Sequence, residues 1–212
     1  MRKINLNKIP GLFVALMLSG IFPLATFADQ PSPTASEAQG VETSALSAVK
    51  ATIDGVVAVA EEHRGEAQQK VRRAKLREVI NPRFDFDEMA RRSLGAQWNQ
   101  ITEAEQKDFT TVFSELLART YLSKVETVKP GMVTVDSERL DFPRSAVKTS
   151  VKHEGDTFPI EYRLMNVNGT WRVYDVIVEN IGLIANYRNE FAGIIRKETF
   201  AGLLKRLHAK VA

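Results

Sequence analysis

Apolar side chains recur every three or four residues through positions 45–121 and every second residue through much of 133–179, so the chain reads as a helical half followed by a strand half. Residues 45–63 carry Leu46, Val49, Ile53, Val56, Val57 and Ala60 at helical spacing. Residues 66–80 carry Val71, Leu76, Val79 and Ile80 among charges, which predicts a second helix, stopped by Asn81 and Pro82. Phe84, Phe86, Met89, Ala90, Leu94 and Trp98 begin a third apolar face. Thr102 and Glu105 then fit a capping box, in which each side chain satisfies the other residue's free amide. The helix it opens buries Phe109, Val112, Phe113, Leu116, Leu117 and Tyr121, and Pro130 with Gly131 closes the region.

Beyond Gly131 the period changes to two. Val147, Thr149 and Val151 share one face of one segment, and Ile160, Tyr162 and Leu164 share one face of the next. Four strands are predicted, at 133–140, 146–153, 158–166 and 171–179. Glu154, Gly155 and Asp156 supply one hairpin turn and Asn168 with Gly169 another, the latter with residues that accept positive φ. The strands are therefore antiparallel and closely connected. From Leu183 the helical period returns with Ile184, Tyr187, Phe191, Ile194 and Ile195, and a last helix is expected over 199–210. The predicted class is α+β: N-terminal helices packed with a twisted four-stranded antiparallel sheet and C-terminal helices.

The first residues change the compartment. Arg2, Lys3 and Lys8 form a basic start, residues 9–24 are mostly apolar, and small residues precede Asp29, the pattern of a secretory signal peptide cut after Ala28. The apolar run is short for a bilayer span and is interrupted by Pro10, Ser19, Gly20 and Pro23. The 212-residue chain has 29 Lys and Arg against 26 Asp and Glu; cleavage removes three cations and no acid, which leaves the balance even. The basic character thus belongs to the signal, and no nucleic-acid partner is implied. Residues 29–43 are rich in Pro, Ser, Thr, Ala, Gln and Gly and are expected to form a flexible leader. Residues 44–212 then make one domain, built without disulfides because the chain has no cysteine.

Candidate chemistry is sparse. His63, His153 and His208 lack metal-ligand spacing, and no nucleophile elbow or phosphate-cradling glycine loop is present, so no metal or cofactor is implied. The best catalytic constellation is Asp175 with Tyr162 or Tyr187, an acid and a tyrosine of the kind that line apolar pockets in acid–base enzymes. Strand alternation groups Asp175 with Val173 and Ile177. The plainer reading of Asp175 is a hydrogen-bonded structural carboxylate, and the chain is read as a non-enzyme.

Two blocks carry a resemblance. The first is Trp171, Tyr174 and Asp175 on a strand, a short link, and a helix with Asn186, Tyr187, Arg188 and Phe191. The second is Phe84 to Met89 and Ala90, Leu94 with Gly95, Trp98, then Thr102, Gln106, Phe109 and Phe113. Together they resemble the MlaC, or toluene-tolerance, family of periplasmic phospholipid-binding proteins over residues 45–207. Asn180 stands where many relatives have glycine, and Gly182 where serine is common. The resemblance implies helices and a sheet enclosing an apolar, cone-like cavity. It also implies a phospholipid carrier that shuttles between an outer-membrane lipoprotein complex and an inner-membrane ABC transporter with its MCE-domain component.

Such a carrier has a clear physical task. A two-tailed phospholipid in water exposes about thirty methylenes at ~0.8 kcal/mol each, a penalty on the order of 20 kcal/mol. Apolar side chains must cover the tails while the charged head stays in water, because burial of an unpaired phosphate is costly. The candidate lining residues are Val151, Ile160, Tyr162, Leu164, Val173, Val176 and Val178 on the sheet. On the helices they are Phe84, Met89, Leu94, Phe109, Phe113, Leu117, Leu183, Ile184 and Tyr187. For each of these, ordinary core is the plain alternative. Arg91, Arg92, Arg163 and Arg188 are candidates for the mouth, with weak head-group selectivity expected from the family. Three other readings stay open: a hopanoid or sterol-type carrier, an acid–base isomerase or hydratase on an apolar molecule, and a chaperone-like adaptor with a solid core.

Overall fold

Helix starts are fixed by side chains that accept the amides an α-helix leaves unpaired. The computed structural model describes residues 44–212; the expected signal peptide and leader lie outside the described residues. The Ser44 hydroxyl accepts from the Ser47 amide at 3.0 Å and opens α1 (Ala45–Glu62). A 3₁₀ turn (Glu66–Gln68) leads into α2 (Gln69–Ile80), and a second one containing Pro82 ends it. Asp85 caps α3 (Phe86–Leu94) by accepting from the Glu88 amide at 3.0 Å. The capping box at Thr102 and Glu105 forms as the sequence indicates and opens α4 (Glu103–Val125).

The sheet runs in chain order, with every neighbouring pair antiparallel: β1 (Val133–Asp141), β2 (Arg144–His153), β3 (Asp156–Val167), β4 (Thr170–Val178) and β5 (Ile181–Gly182). The β2–β3 turn places Glu154 at φ 52° and Gly155 at φ 92°, and the β3–β4 turn places Asn168 at φ 50° and Gly169 at φ 85°. Both are the paired positive-φ residues that suit the right-handed twist of a hairpin. The sheet has five strands where four were expected. Glu179 (φ 49°) and Asn180 (φ 66°) reverse the chain in two residues, so that Ile181 pairs with Val178 and Gly182 with Ile177. A two-residue strand is too short to leave an alternating pattern. Asparagine tolerates the left-handed conformation better than most residues, which accommodates Asn180 in this turn.

The last two expected helices form one element, α5 (Leu183–Val211), interrupted at Thr199 with φ 68° and ψ 173°. The bend is tight: a Cβ on Gly202 would lie 2.8 Å from the Glu198 Cβ, so only glycine fits there without movement. Glu198 and Arg206 pair across the bend.

Two layers of packing result. The small residues Ala45, Ala48 and Val49 bring α1 close against Val147, Leu164, Trp171 and Val173 of the sheet. Further along, Val56 of α1 meets Leu76 of α2 and Leu122 of α4. Charge ties reinforce that second cluster: Arg73 and Arg72 both reach Glu126, and Arg77 meets Glu115 through two hydrogen bonds of 2.8 and 3.0 Å. Among the described residues no helix is long and apolar enough to cross a membrane.

Candidate functional site

Register decides which sheet residues face α1. Val147 is opposite Tyr162, and Tyr162 opposite Val176; Thr149 is opposite Ile160, and Ile160 opposite Val178. Leu164 is opposite Val173, but Arg163 is opposite Asp175, because Tyr174 is an extra residue that bulges β4. Val173 and Asp175 therefore point to opposite faces, which corrects the grouping expected from simple alternation. Tyr174 itself lies under the Arg92 guanidinium, 4.2 Å from the ring centroid.

The sixteen candidate lining residues fall into two groups. Met89, Leu94, Phe109, Phe113, Leu117, Leu164, Val173, Ile184 and Tyr187 are buried. Phe113 lies edge-on to Tyr187 at 5.2 Å and to Phe191 at 5.6 Å, and Phe109 stacks on Phe113 at 5.6 Å, so α4 and α5 share an aromatic core. Phe84, Val151, Ile160, Tyr162, Val176 and Leu183 are half-buried, and Val178 is exposed. Phe84, Tyr162 and Val176 pack against the α1–sheet cluster together with Ile53 and Val135. Burial pushes the Tyr162 hydroxyl above the ordinary tyrosine range, with Thr149 beside it acting in the opposite direction. Tyr162 is thus surrounded by protein while its side chain keeps accessible surface. Two shallow depressions are lined by other residues, one by Lys129, Met132, Lys152 and His153 and the other by Glu190, Ile194, Arg206 and Leu207.

Two acidic residues on the sheet act as helix anchors. Asp175 Oδ1 accepts from the Ile184 amide at 3.1 Å, within the first turn of α5. Gly182, the cap position, has no side chain to do this, so Asp175 takes the role that a serine there would share. Glu138 does the same for α1: its carboxylate accepts from the Ala45 and Leu46 amides at 3.2 and 3.3 Å and from the Ser145 hydroxyl at 2.8 Å. The sequence reading missed Glu138; a glutamate in the middle of strand 133–140 was its only trace. Ile53 and Val135 were also absent from the candidate lining, although the helical spacing of Ile53 marked it as buried.

Three of the four candidate mouth arginines, Arg91, Arg92 and Arg188, meet at α3, and Arg163 lies on β3. Arg91 and Arg92 both pair with Glu88 at 2.6 Å, and Arg163 with Glu161 at 3.2 Å. Arg188 Nε donates to the Arg92 carbonyl at 2.7 Å, which satisfies an acceptor in the last turn of α3 and links α5 to it.

The family model described as MlaC protein matches residues 50–209, most of the chain. The chain belongs to the MlaC family. This MlaC-family chain is 25% identical over 185 residues to the toluene tolerance protein ttg2D of Pseudomonas putida, covering 86% of this chain and 81% of that one. It is 18% identical over 141 residues to the intermembrane phospholipid transport system binding protein MlaC of Haemophilus influenzae, covering 64% and 66% of the two chains. Its fold is similar to that of a phospholipid-binding protein from Ralstonia solanacearum solved with a phospholipid. The TM-score is 0.71 and the identity 29%, over 79% of this chain and 96% of the other.

Proposed function

We propose that this MlaC-family chain is a periplasmic phospholipid carrier, the binding component of an ABC transport system that moves lipid between the inner and outer membranes. The observation that carries this reading is the fold match over 96% of a chain solved with phospholipid. The inner sheet face supports it: Tyr162 and Val176, with Phe84 bridged to the sheet beside them, are half-buried side chains packed on the α1–sheet cluster that keep accessible surface. We place the acyl chains along these residues and Val151, Val178 and Leu183. The buried aromatic group then serves as the frame that holds α4 and α5 in place. Export by a signal peptide cut after Ala28 would deliver the chain to the periplasm. There the inner-membrane MCE-domain transporter and the outer-membrane lipoprotein complex are its expected partners.

The carrier reading needs no reacting group. Asp175, the residue on which an acid–base isomerase would depend, caps α5 and lies on the sheet face opposite Val173. Native mass spectrometry of the secreted protein, followed by lipid extraction, tests the proposal. A diacyl phospholipid at near-stoichiometric occupancy is the expected result. A protein free of lipid after incubation with phospholipid vesicles would refute it, and a bound polycyclic lipid would replace the ligand class.

A further inference from the structure

The tip of the β1–β2 hairpin brings two exposed large apolar side chains together. Phe142 keeps 72% and Leu140 60% of their surface exposed, and Phe142 is the most exposed large apolar side chain among the described residues. The inner edge of this tip is fixed: the Pro143 carbonyl accepts from the Asn166 amide at 2.8 Å, and Phe142 lies edge-on to the buried Trp171 at 6.4 Å. The apolar groups are therefore held outward by structure rather than left loose.

Cations lie beside them on one face of the sheet. Register places Asp141, Arg144, Met165 and Arg172 in one row at the tip, and Arg139, Ala146, Arg163 and Asp175 two rows further back, on the same face. These two rows hold four arginines. Of the acids near them, Glu161 pairs with Arg163 and Asp175 is occupied as the α5 cap, which leaves Asp141 as the opposing charge at the tip itself. Among the described residues Arg139, Arg144 and Arg172 find no ion-pair partner, and the Arg172 Nε is buried without a hydrogen-bond partner there.

We infer that this hairpin is a docking element for an anionic phospholipid surface, with Leu140 and Phe142 entering the interface and Arg139, Arg144 and Arg172 meeting lipid phosphates. A bilayer fits the tip better than a folded protein does. The apolar groups stand on a narrow convex turn, whereas a stable protein contact needs roughly 800 Å² on each side. Aromatic and leucine side chains at headgroup depth, backed by arginines, match the apolar-below and anionic-above order of that interface. Pro143 also brings no N–H that would lose its water there.

Docking and lipid loading are separate readouts, so failure of one does not decide the other. The full chain, with its lipid content measured beforehand, is sedimented with vesicles of phosphatidylcholine alone and of phosphatidylcholine mixed with phosphatidylglycerol. Binding is expected only to the anionic vesicles, and it should weaken as salt rises. Leu140→Ser with Phe142→Ser should lower the affinity about tenfold or more. Arg144→Glu should lower it about fivefold or more, and Asp141→Asn should raise it a fewfold. All three changes are at exposed positions, so circular dichroism and bound lipid should be unchanged. Equal binding to both vesicle types, no binding to either, or affinity indifferent to the tip variants would overturn the inference. Vesicle binding by an unaltered chain that holds no lipid of its own would count against the carrier reading alone.

Discussion

The aromatic core between α4 and α5 and the inner face of the sheet are both apolar, yet they are filled differently. Phe109, Phe113, Tyr187 and Phe191 touch ring to ring and are at most 1% exposed. Tyr162 and Val176, opposed across β3 and β4, remain half-buried against the cluster that α1 makes with the sheet. A region packed to the density of a solid resists any change of volume, whereas a face that keeps surface can accept another molecule. Under the carrier proposal, the filled region serves stability and the half-buried face serves binding.

The largest effect that would separate them is Phe113→Ala, which should cost about 3–5 kcal/mol in chemical denaturation by leaving a cavity among three rings. A loss below about 1 kcal/mol would mean that the helical core is not close-packed. Next come the two sheet carboxylates that fasten helices to the two regions. Asp175→Ala frees the Ile184 amide at the start of α5, and Glu138→Ala frees the Ala45 and Leu46 amides at the start of α1. Each should cost about 1–2 kcal/mol. The two should differ in kind: loosening α1 opens the side that covers Tyr162 and Val176, so Glu138→Ala should alter lipid exchange more than Asp175→Ala does. Equal exchange rates in the two variants would contradict that division.

Acidification tests the charged tie beside the second helical cluster. The Arg73 hydrogen bond, aided by Arg72, holds the Glu126 carboxyl below the ordinary carboxylate range. A carboxyl lowered on folding stabilises the protein above its unfolded pKa, and that contribution is lost as pH falls through the folded value. Stability should therefore decline on the acid side, and Glu126→Gln should flatten that decline when unfolding is followed against pH. Arg73 faces solvent, so the change should be smaller than removal of a cap and weaker in high salt.

Much of this arrangement was legible in the chain because it rests on period and local chemistry. The capping box at Thr102 and Glu105, the Asn168–Gly169 turn and the apolar spacing of α4 each state their structure within a few residues. What was hidden depends on partners distant in sequence. The bulge at Tyr174 reverses the side on which Asp175 lies, and nothing in 171–179 announces it. Glu138 reads as a solvated strand residue until α1, more than ninety positions earlier, brings its free amides to it. Hydrophobicity alone could not divide the sixteen candidates, since Phe113 and Tyr162 satisfy it equally. Only their packing does so.

The smallest expected change in stability belongs to the most direct test of the sheet face. Val176 lies opposite Tyr162 and is half-buried, so a larger side chain there enters space beside α1 rather than a sealed core. Val176→Trp should cost about 1 kcal/mol or less, below the usual penalty for overpacking a filled interior. The indole would occupy the path assigned to an acyl chain, and lipid occupancy by native mass spectrometry should fall severalfold while the denaturation midpoint barely moves. Val173→Trp provides the contrast from the same strand, because Val173 is 1% exposed, lies opposite Leu164 and belongs to one buried cluster with Val49. That variant should lose stability first, by about 1–3 kcal/mol. If Val176→Trp is folded and still fully loaded, the acyl chains do not run along Val176, and the half-buried face is only a loosely packed core.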